Sequence, residues 1–493
     1  MYLLTDNISD SDSLYHIRHT WLYRTGGFLN PGFPWHQFSA VKDAGSDLWY
    51  GFHILLIPFT YNHDLLAGIK TGGIFESVIL IFSLLLFFKR IKVWQPAFWT
   101  LFFISATPEM FYRMTSARPH VISTALIILL FSFAGEWRRG GKWLVFFISL
   151  LISFVHLAIA WAAPLVVFAA ALSERVMKQK NENMIPAVLG VVAGLLLRPN
   201  FFGSAKLFYI QTFGVIFAKI AGRPLPFGFE LEGLNFQDIF SAGVFFTALA
   251  AAIIIFINRR GKNRAVFPEE SFPVILSSSA LCFFFLLLSV LAAKRAMDFV
   301  FFFGIAFISV IFSGFINNRP DGLKAKIQKA GVVFVVLVFG AYNMFSALNY
   351  KEKYGHRPDV FKEAALWLLD NSEKGDIVAH FNFLDSQKLF FWNQKNYYIT
   401  GFDPIFQYSF NEKLYSYLEF SRFADAQAEA GAAHDRKNDA IELHGHLTGD
   451  FHAKYLFMEK RYFTSLIGEL DGKPGFKKVF ESDGEIIYKV ERI

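Results

Sequence analysis

Phe-Phe-Gly-Ile-Ala-Phe-Ile-Ser-Val-Ile-Phe, residues 302–312, carries one small polar side chain and no charge. Nothing polar recurs at helical spacing, so a helix made of it has no face to offer water. That is the pattern of a helix surrounded by lipid or by other apolar helices. Residues 78–88, Val-Ile-Leu-Ile-Phe-Ser-Leu-Leu-Leu-Phe-Phe, repeat it. The whole chain agrees: 493 residues with 54% hydrophobic content, 18% aromatics and 61 Phe would leave a soluble domain with far too much apolar surface. The fold class predicted is a polytopic α-helical membrane bundle, which makes the lipid bilayer the first partner. The single Cys282 excludes an intrachain disulfide.

Working outward, spans are expected near 66–88, 95–112, 119–136, 143–155, 157–172, 184–198, 238–257, 272–292, 297–316 and 329–348, about ten in all against the ~20 residues of a full crossing. The net charge of +7 gives no reason to expect nucleic acid as a partner, because the basic residues sit in short loops: Lys89 to Lys92, Arg138 to Lys142, Arg175 to Lys180, Arg259 to Arg264 and Arg319 to Lys329. The positive-inside rule assigns all of them to the cytoplasm. Reading 143–172 as two short crossings around His156 and Pro164 satisfies every basic loop; one crossing does not. The same walk puts residues 1–65, loops 113–118, 199–237 and 293–296, and the tail outside. The expected localisation is therefore a multi-pass protein of a plasma or inner membrane, with its active face and C-terminal domain extracytoplasmic. An exported first loop normally follows a signal peptide or a helix, and Met1 stands almost directly before the polar motif. The expectation is a start assigned too far downstream or a lost first span.

Three regions are predicted: 1–65, an outer loop with amphipathic helices; 66–348, the bundle; and 349–493, a small α/β domain. In the tail, Asp359–Asn371 has helical spacing. Asp376–His380, Tyr397–Ile399, Tyr455–Met458, Lys477–Phe480 and Glu485–Val490 read as strands, the last two hinged at Asp483-Gly484. The charged, Ala-rich stretch Asp425–Asp439 reads as a surface helix or mobile loop.

The outer loop carries the chemistry. Residues 9–18 are Ser-Asp-Ser-Asp-Ser-Leu-Tyr-His-Ile-Arg. Asp10 and Asp12 can take a proton or hold a divalent cation such as Mg or Mn, although solvated loop carboxylates are the commoner case for an arbitrary Asp-x-Asp. His16 and Arg18 follow about a turn later on an expected amphipathic helix, Leu14–Tyr23, and Trp35 lies in an aromatic, proline-containing segment, 33–38, that suits a loop packed on the bundle mouth. Arg118-Pro119-His120 opens a helix: Pro suits its first turn, and a helix N-terminus beside Arg suits phosphate. Arg113 reads as interfacial snorkelling. Lys294 and Arg295 are cations on the outer face, against the charge rule, which favours an anionic head group as their partner. His156 and Arg198 are weaker candidates. No phosphate-cradling Gly loop, zinc spacing or nucleophile elbow occurs.

Asp12-Ser13-Leu14-Tyr15-His16-Ile17-Arg18 resembles the first outer-loop motif of the GT-C superfamily, integral-membrane glycosyltransferases that use polyprenyl-phosphate-linked sugars, and most nearly the oligosaccharyltransferase catalytic subunits. The layout is similar too: an acidic first loop, many spans and a soluble domain after the last. The resemblance implies that Asp12 is the catalytic or metal-binding carboxylate, and that Lys294 or Arg295 meets the lipid phosphate. The chain departs from the pattern where Ser116-Ala117-Arg118-Pro119-His120 replaces the second acidic motif. It also lacks the Trp-Trp-Asp-Tyr-Gly motif, for which Gly401-Phe402-Asp403-Pro404 is no substitute. The function expected is transfer of a sugar from a polyprenyl-phosphate-linked donor to a lipid, glycan or other acceptor. Asp12 and Asp10 would be catalytic, and His16, Arg18, Trp35, Arg118, His120, Lys294 and Arg295 would bind substrate. The rival readings are a transporter or flippase of a lipid-linked or anionic substrate, and a degenerate, non-catalytic relative.

Overall fold

A computed structural model describes residues 4–62, 64–135, 141–223, 225, 227–260, 269–317, 323–419, 423–425 and 439–493. The apolar runs are helical, because a backbone in hydrocarbon must satisfy its own N–H and C=O groups. Six helices are long and apolar enough to cross a membrane: Leu65–Arg90, Leu157–Val176, Phe201–Ile220, Glu269–Leu291, Lys294–Ile316 and Val333–Tyr354. The pair Pro108–Met114 and Pro119–Ala134, bent by 96°, makes a seventh if taken as one span. Lys142–Val155, Met184–Leu196 and Gly243–Asn258 are apolar but shorter. The chain is a multi-pass membrane protein.

The expectation of about ten crossings is not matched by helix length, and local causes are visible. Segment 95–112 breaks before Pro108, where the Thr107 side chain accepts the Met110 N–H at 2.9 Å and caps a new helix. The chain does break at His156, whose extended backbone separates Lys142–Val155 from Ala162–Val176. Phe201–Ile220, assigned from sequence to a loop, is an apolar helix. Its Leu207, Ile210, Val215 and Ala218 pack with Val41, Ala44, Phe402 and Ile405 of the first loop and tail, not with the bundle core. That core is aromatic: Phe87, Phe131, Phe285, Phe302 and Phe303 are all fully buried.

Two helices approach at backbone distance. A Cβ on Gly190 would lie 2.3 Å from the Phe146 carbonyl oxygen, and one on Gly194 would lie 2.4 Å from that of Leu150. This small-xxx-small seam fixes Met184–Leu196 against Lys142–Val155. Gly194→Leu is expected to force the pair apart at about 1–3 kcal/mol and to lower the thermal stability of the detergent-solubilised protein, whereas exposed Leu189→Ala leaves it unchanged.

The tail forms a five-stranded sheet of order β2-β1-β3-β5-β4, with β1 Ile377–Ala379, β2 Tyr397–Tyr398, β3 Ala453–Glu459, β4 Phe476–Glu481 and β5 Glu485–Val490. β1 runs parallel to β2 and β3, and β5 is antiparallel to β3 and β4. All the strands lie on the segments read from sequence. Asp425–Asp439 falls almost entirely outside the described residues.

The first loop is not a surface layer. Its helix α1 (Ser11–Gly26) buries Leu14, Tyr15, His16, Ile17, His19, Thr20 and Tyr23, so it is enclosed nearly all round and not amphipathic as expected. The tail clasps it. Ile8 bridges to His356, the Gln37 and Phe38 N–H groups donate to Tyr398 and Ile399 carbonyls at 2.9 and 2.8 Å, and Gly401 lets the His36 ring approach to within 2.2 Å of where a Cβ would stand.

Candidate functional site

Asp10 caps α1, accepting the Ser13 N–H at 3.0 Å, and Asp12 falls in the first turn. The other wall is the bend between α2 (Pro108–Met114) and α3 (Pro119–Ala134). The Arg118 N–H donates to Glu76 at 3.1 Å, which anchors the bend on the only acidic residue of helix Leu65–Arg90. The Arg118 guanidinium then spans two carboxylates, Asp12 at 2.6 Å and Glu230 at 2.8 Å. Glu230 also pairs with Arg113 at 2.5 Å, and Arg113 grips Asp298 through Nε and Nη2 at 3.2 and 3.0 Å. Arg113, read as snorkelling, is thus buried and ion-paired.

The sheet domain reaches in. Gln387, on α4 (Asp385–Trp392), donates to Asp12 at 3.1 Å, and Asp403 accepts from Gln211 at 3.4 Å. Asp403 interacts electrostatically with both Arg295 and Asp12. Arg295 faces Asp403, Glu230, Arg113 and Arg118, yet no carboxylate among the described residues lies within ion-pair distance of it. One cluster of facing charges, hereafter the chamber, therefore links Asp10, Asp12, Arg118 and Arg295, drawn from the first loop, the bend and the turn before Met297–Asn317. His156 borders it, with Nδ1 on the Ser123 hydroxyl at 2.7 Å.

Of the other expected residues, His16 stands beside the chamber, one turn after Asp12, and the rest lie elsewhere. Lys294 turns from the chamber to Asp238, 3.3 Å away, in a small cleft with Glu109, Arg113 and Asp298. His120 engages the Arg113 carbonyl at 3.1 Å. Trp35 spends its indole N–H on the Gln394 carbonyl at 2.8 Å, inside the seam between loop and tail. Arg18 lies over Trp21 and Phe391 and lines a separate cavity of about 520 Å³ with Arg24, Tyr61 and Trp392. His16 is buried against His53. Glu230, Asp403 and Gln387 were not predicted. Only Glu76 left a signal, a lone acid in an apolar run.

The acidic pair does not fit a divalent cation. Asp12 is committed to Arg118 and Gln387, and Asp10 Oδ1 to Ser13. That leaves Asp10 Oδ2 alone without a donor, beside a guanidinium that repels cations, where Mg or Mn would want several oxygens. The expected metal role of Asp12 and Asp10 is not supported by this arrangement. Burial raises the Asp10 carboxyl to about 6, Arg118 opposing and Asp12 reinforcing the shift; Asp12 is raised as well, chiefly by burial. A carboxyl held above its unfolded value of 3.8 costs stability as pH climbs through that interval. Asp10→Asn keeps a good cap and removes the charge. It is expected to raise the melting temperature at pH 8 and leave it unchanged at pH 4, as a thermal-shift comparison at the two values would read.

No protein-family model matches the chain, and no curated protein matches by sequence. Solved structures do. The crystal structure of ArnT from Cupriavidus metallidurans in the apo state superposes with a TM-score of 0.55 at 11% identity, over 97% of this chain and 93% of that one. The same protein bound to undecaprenyl phosphate gives a TM-score of 0.56 at 11% identity, over 98% and 94%. The fold is that of ArnT. The ArnT-like architecture covers the bundle and the sheet domain alike, so the tail belongs to the fold and is not an appended module.

Proposed function

We propose that the chain is a membrane glycosyltransferase that moves a sugar from a polyprenyl-phosphate-linked donor to an acceptor at the extracytoplasmic face. One observation carries this: Arg295, a cation with no carboxylate among the described residues in ion-pair contact, faces the chamber that contains Asp12, in a fold whose solved ArnT example holds undecaprenyl phosphate. A buried cation with acids nearby but none in ion-pair contact among the described residues suits an anion brought by the substrate. In this reading Arg295 and Arg118 take the phosphate, and charge-assisted bonds strengthen as the leaving group gains charge. Asp12 accepts a hydrogen bond from the acceptor hydroxyl and orients it towards the anomeric carbon. Glu230 holds Arg113 and Arg118 in place, and Gln387 brings the tail domain over the site.

The discriminating experiment uses purified protein in sealed proteoliposomes with a radiolabelled polyprenyl-phosphate sugar. Release of lipid phosphate with label leaving the lipid is the expected result. Label that crosses the bilayer still attached to its lipid makes the protein a transporter and ends the enzyme reading. Label that neither crosses nor is released points to the non-catalytic relative.

A further inference from the structure

Three buried side chains behind the chamber form a chain that the proposed function does not yet use. The Asp47 carboxylate accepts the Trp49 N–H at 2.9 Å on one oxygen, and on the other the Tyr23 hydroxyl at 2.7 Å and His53 Nδ1 at 2.6 Å. His53 Nε2 lies 2.8 Å from His16 Nδ1. His16 is one helical turn after Asp12 on α1, so both project from the same face. His16 also feels the Arg118 charge of the chamber.

The hydrogen-bond pattern fixes the protons in sequence. Burial alone would raise the Asp47 carboxyl, but His53, His19 and the Tyr23 hydroxyl hold it well below the usual range, so it can only accept. His53 Nδ1 must then donate, and in a neutral His53 that leaves Nε2 as an acceptor. His16 Nδ1 must donate to that Nε2. The remaining atom, His16 Nε2, makes no hydrogen bond to any of the described residues and carries a lone pair. The order is carboxylate, oriented imidazole, open nitrogen, with a second imidazole inserted before the open end.

We infer that Asp47, His53 and His16 form a relay whose open end, His16 Nε2, takes the proton of the acceptor hydroxyl. This rests on the transferase reading above and gives the proton its destination. The acceptor O–H bond breaks and its electron pair forms the bond to the anomeric carbon. The bond from that carbon to the phosphate oxygen breaks, with its pair leaving on the polyprenyl phosphate. The proton ends on His16 Nε2, where the Asp47 charge favours the imidazolium against burial and the Arg118 charge, so that it is held only until the acceptor bond has formed. His19, Asp47 and His53 also place ligand atoms within 4.8 Å of one another, but a cation there would have to displace the Asp47–His53 bond.

The test has two arms. Selectively labelled ¹⁵N-histidine NMR of the full chain in nanodiscs should show His16 with Nδ1 protonated and Nε2 bare. A protonated Nε2, or one equivalent of tightly bound zinc lost on Asp47→Asn, overturns the relay whether or not the protein transfers sugar. In the radiolabel assay, His16→Gln keeps an N–H for His53 and loses the basic lone pair; kcat should fall about 100-fold or more with donor KM little changed. His16→Ala should recover turnover with added imidazole but not with pyrrole, which has the same shape and no basic lone pair. Unchanged kcat in His16→Gln, or equal rescue by pyrrole, refutes the inference. A wild type that releases no lipid phosphate sinks the transferase reading instead, and the NMR arm still decides the tautomer.

Discussion

Asp12→Asn is expected to reduce sugar transfer by about 10²–10³-fold, the range of a lost charge that positions and polarises a reacting group, while the protein still folds and still binds polyprenyl phosphate. The retained fold follows from the pairing around it. Asparagine keeps an oxygen for the Gln387 amide, and Arg118 keeps Glu230 at 2.8 Å, so its guanidinium is not left buried and alone. The side chain is about a quarter exposed, which limits the desolvation at stake. What the substitution removes is the negative charge that draws the acceptor hydroxyl. Asp12→Glu pushes the carboxylate away from Gln387 and should recover only a small part of the rate. The measurement is single-turnover release of labelled sugar at saturating donor, with lipid-phosphate affinity determined in parallel. Transfer within about threefold of wild type would remove Asp12 from the chemistry and leave its pairing with Arg118 as a structural bond.

Much of this architecture could be read in the sequence because its causes are local. The run at 302–312 has no face for water, so it is buried in a helix whatever surrounds it. The strands Lys477–Phe480 and Glu485–Val490 are short runs on either side of the Asp483-Gly484 turn, and they pair as β4 with β5. Asp12 and Arg118 were both visible as candidates because each stands beside a helix start. Their ion pair was not visible, since a contact between residues so distant in the chain leaves no local trace. Glu230 is the clearest loss: Phe-Glu-Leu-Glu at 229–232 looks like any loop, yet its first acid holds two arginines together. Asp403 was read only as a failed sequence motif, and its importance comes from the fold, which carries the tail back over the first loop. Lys294 and Arg295 are neighbours in sequence, and only the turn at Lys294–Ala296 sends one to Asp238 and the other to the chamber. Crossing length was the least legible property, because Thr107 and Pro108 break an apolar run that hydropathy alone joins.

That divergence makes Arg295→Met the most informative substitution at the phosphate end. A hydrogen bond to a charged group is worth about 1.5–3 kcal/mol, so affinity for polyprenyl phosphate should fall roughly 10- to 100-fold. Stability should hold, because no carboxylate among the described residues is in ion-pair contact to be stranded when the guanidinium goes, and methionine still packs beside the aromatic helix that follows. Lys294→Met should behave in the opposite way. Lys294 is 5% exposed and paired with Asp238, so its loss leaves a half-buried acid uncompensated and lowers thermal stability, with a smaller effect on lipid-phosphate affinity. Equilibrium binding of radiolabelled polyprenyl phosphate and a melting curve on each variant separate the two effects. If Arg295→Met binds as tightly as wild type while Lys294→Met does not, the phosphate lies in the cleft beside Asp238, and the chamber containing Asp12 is not where the donor's leaving group is held.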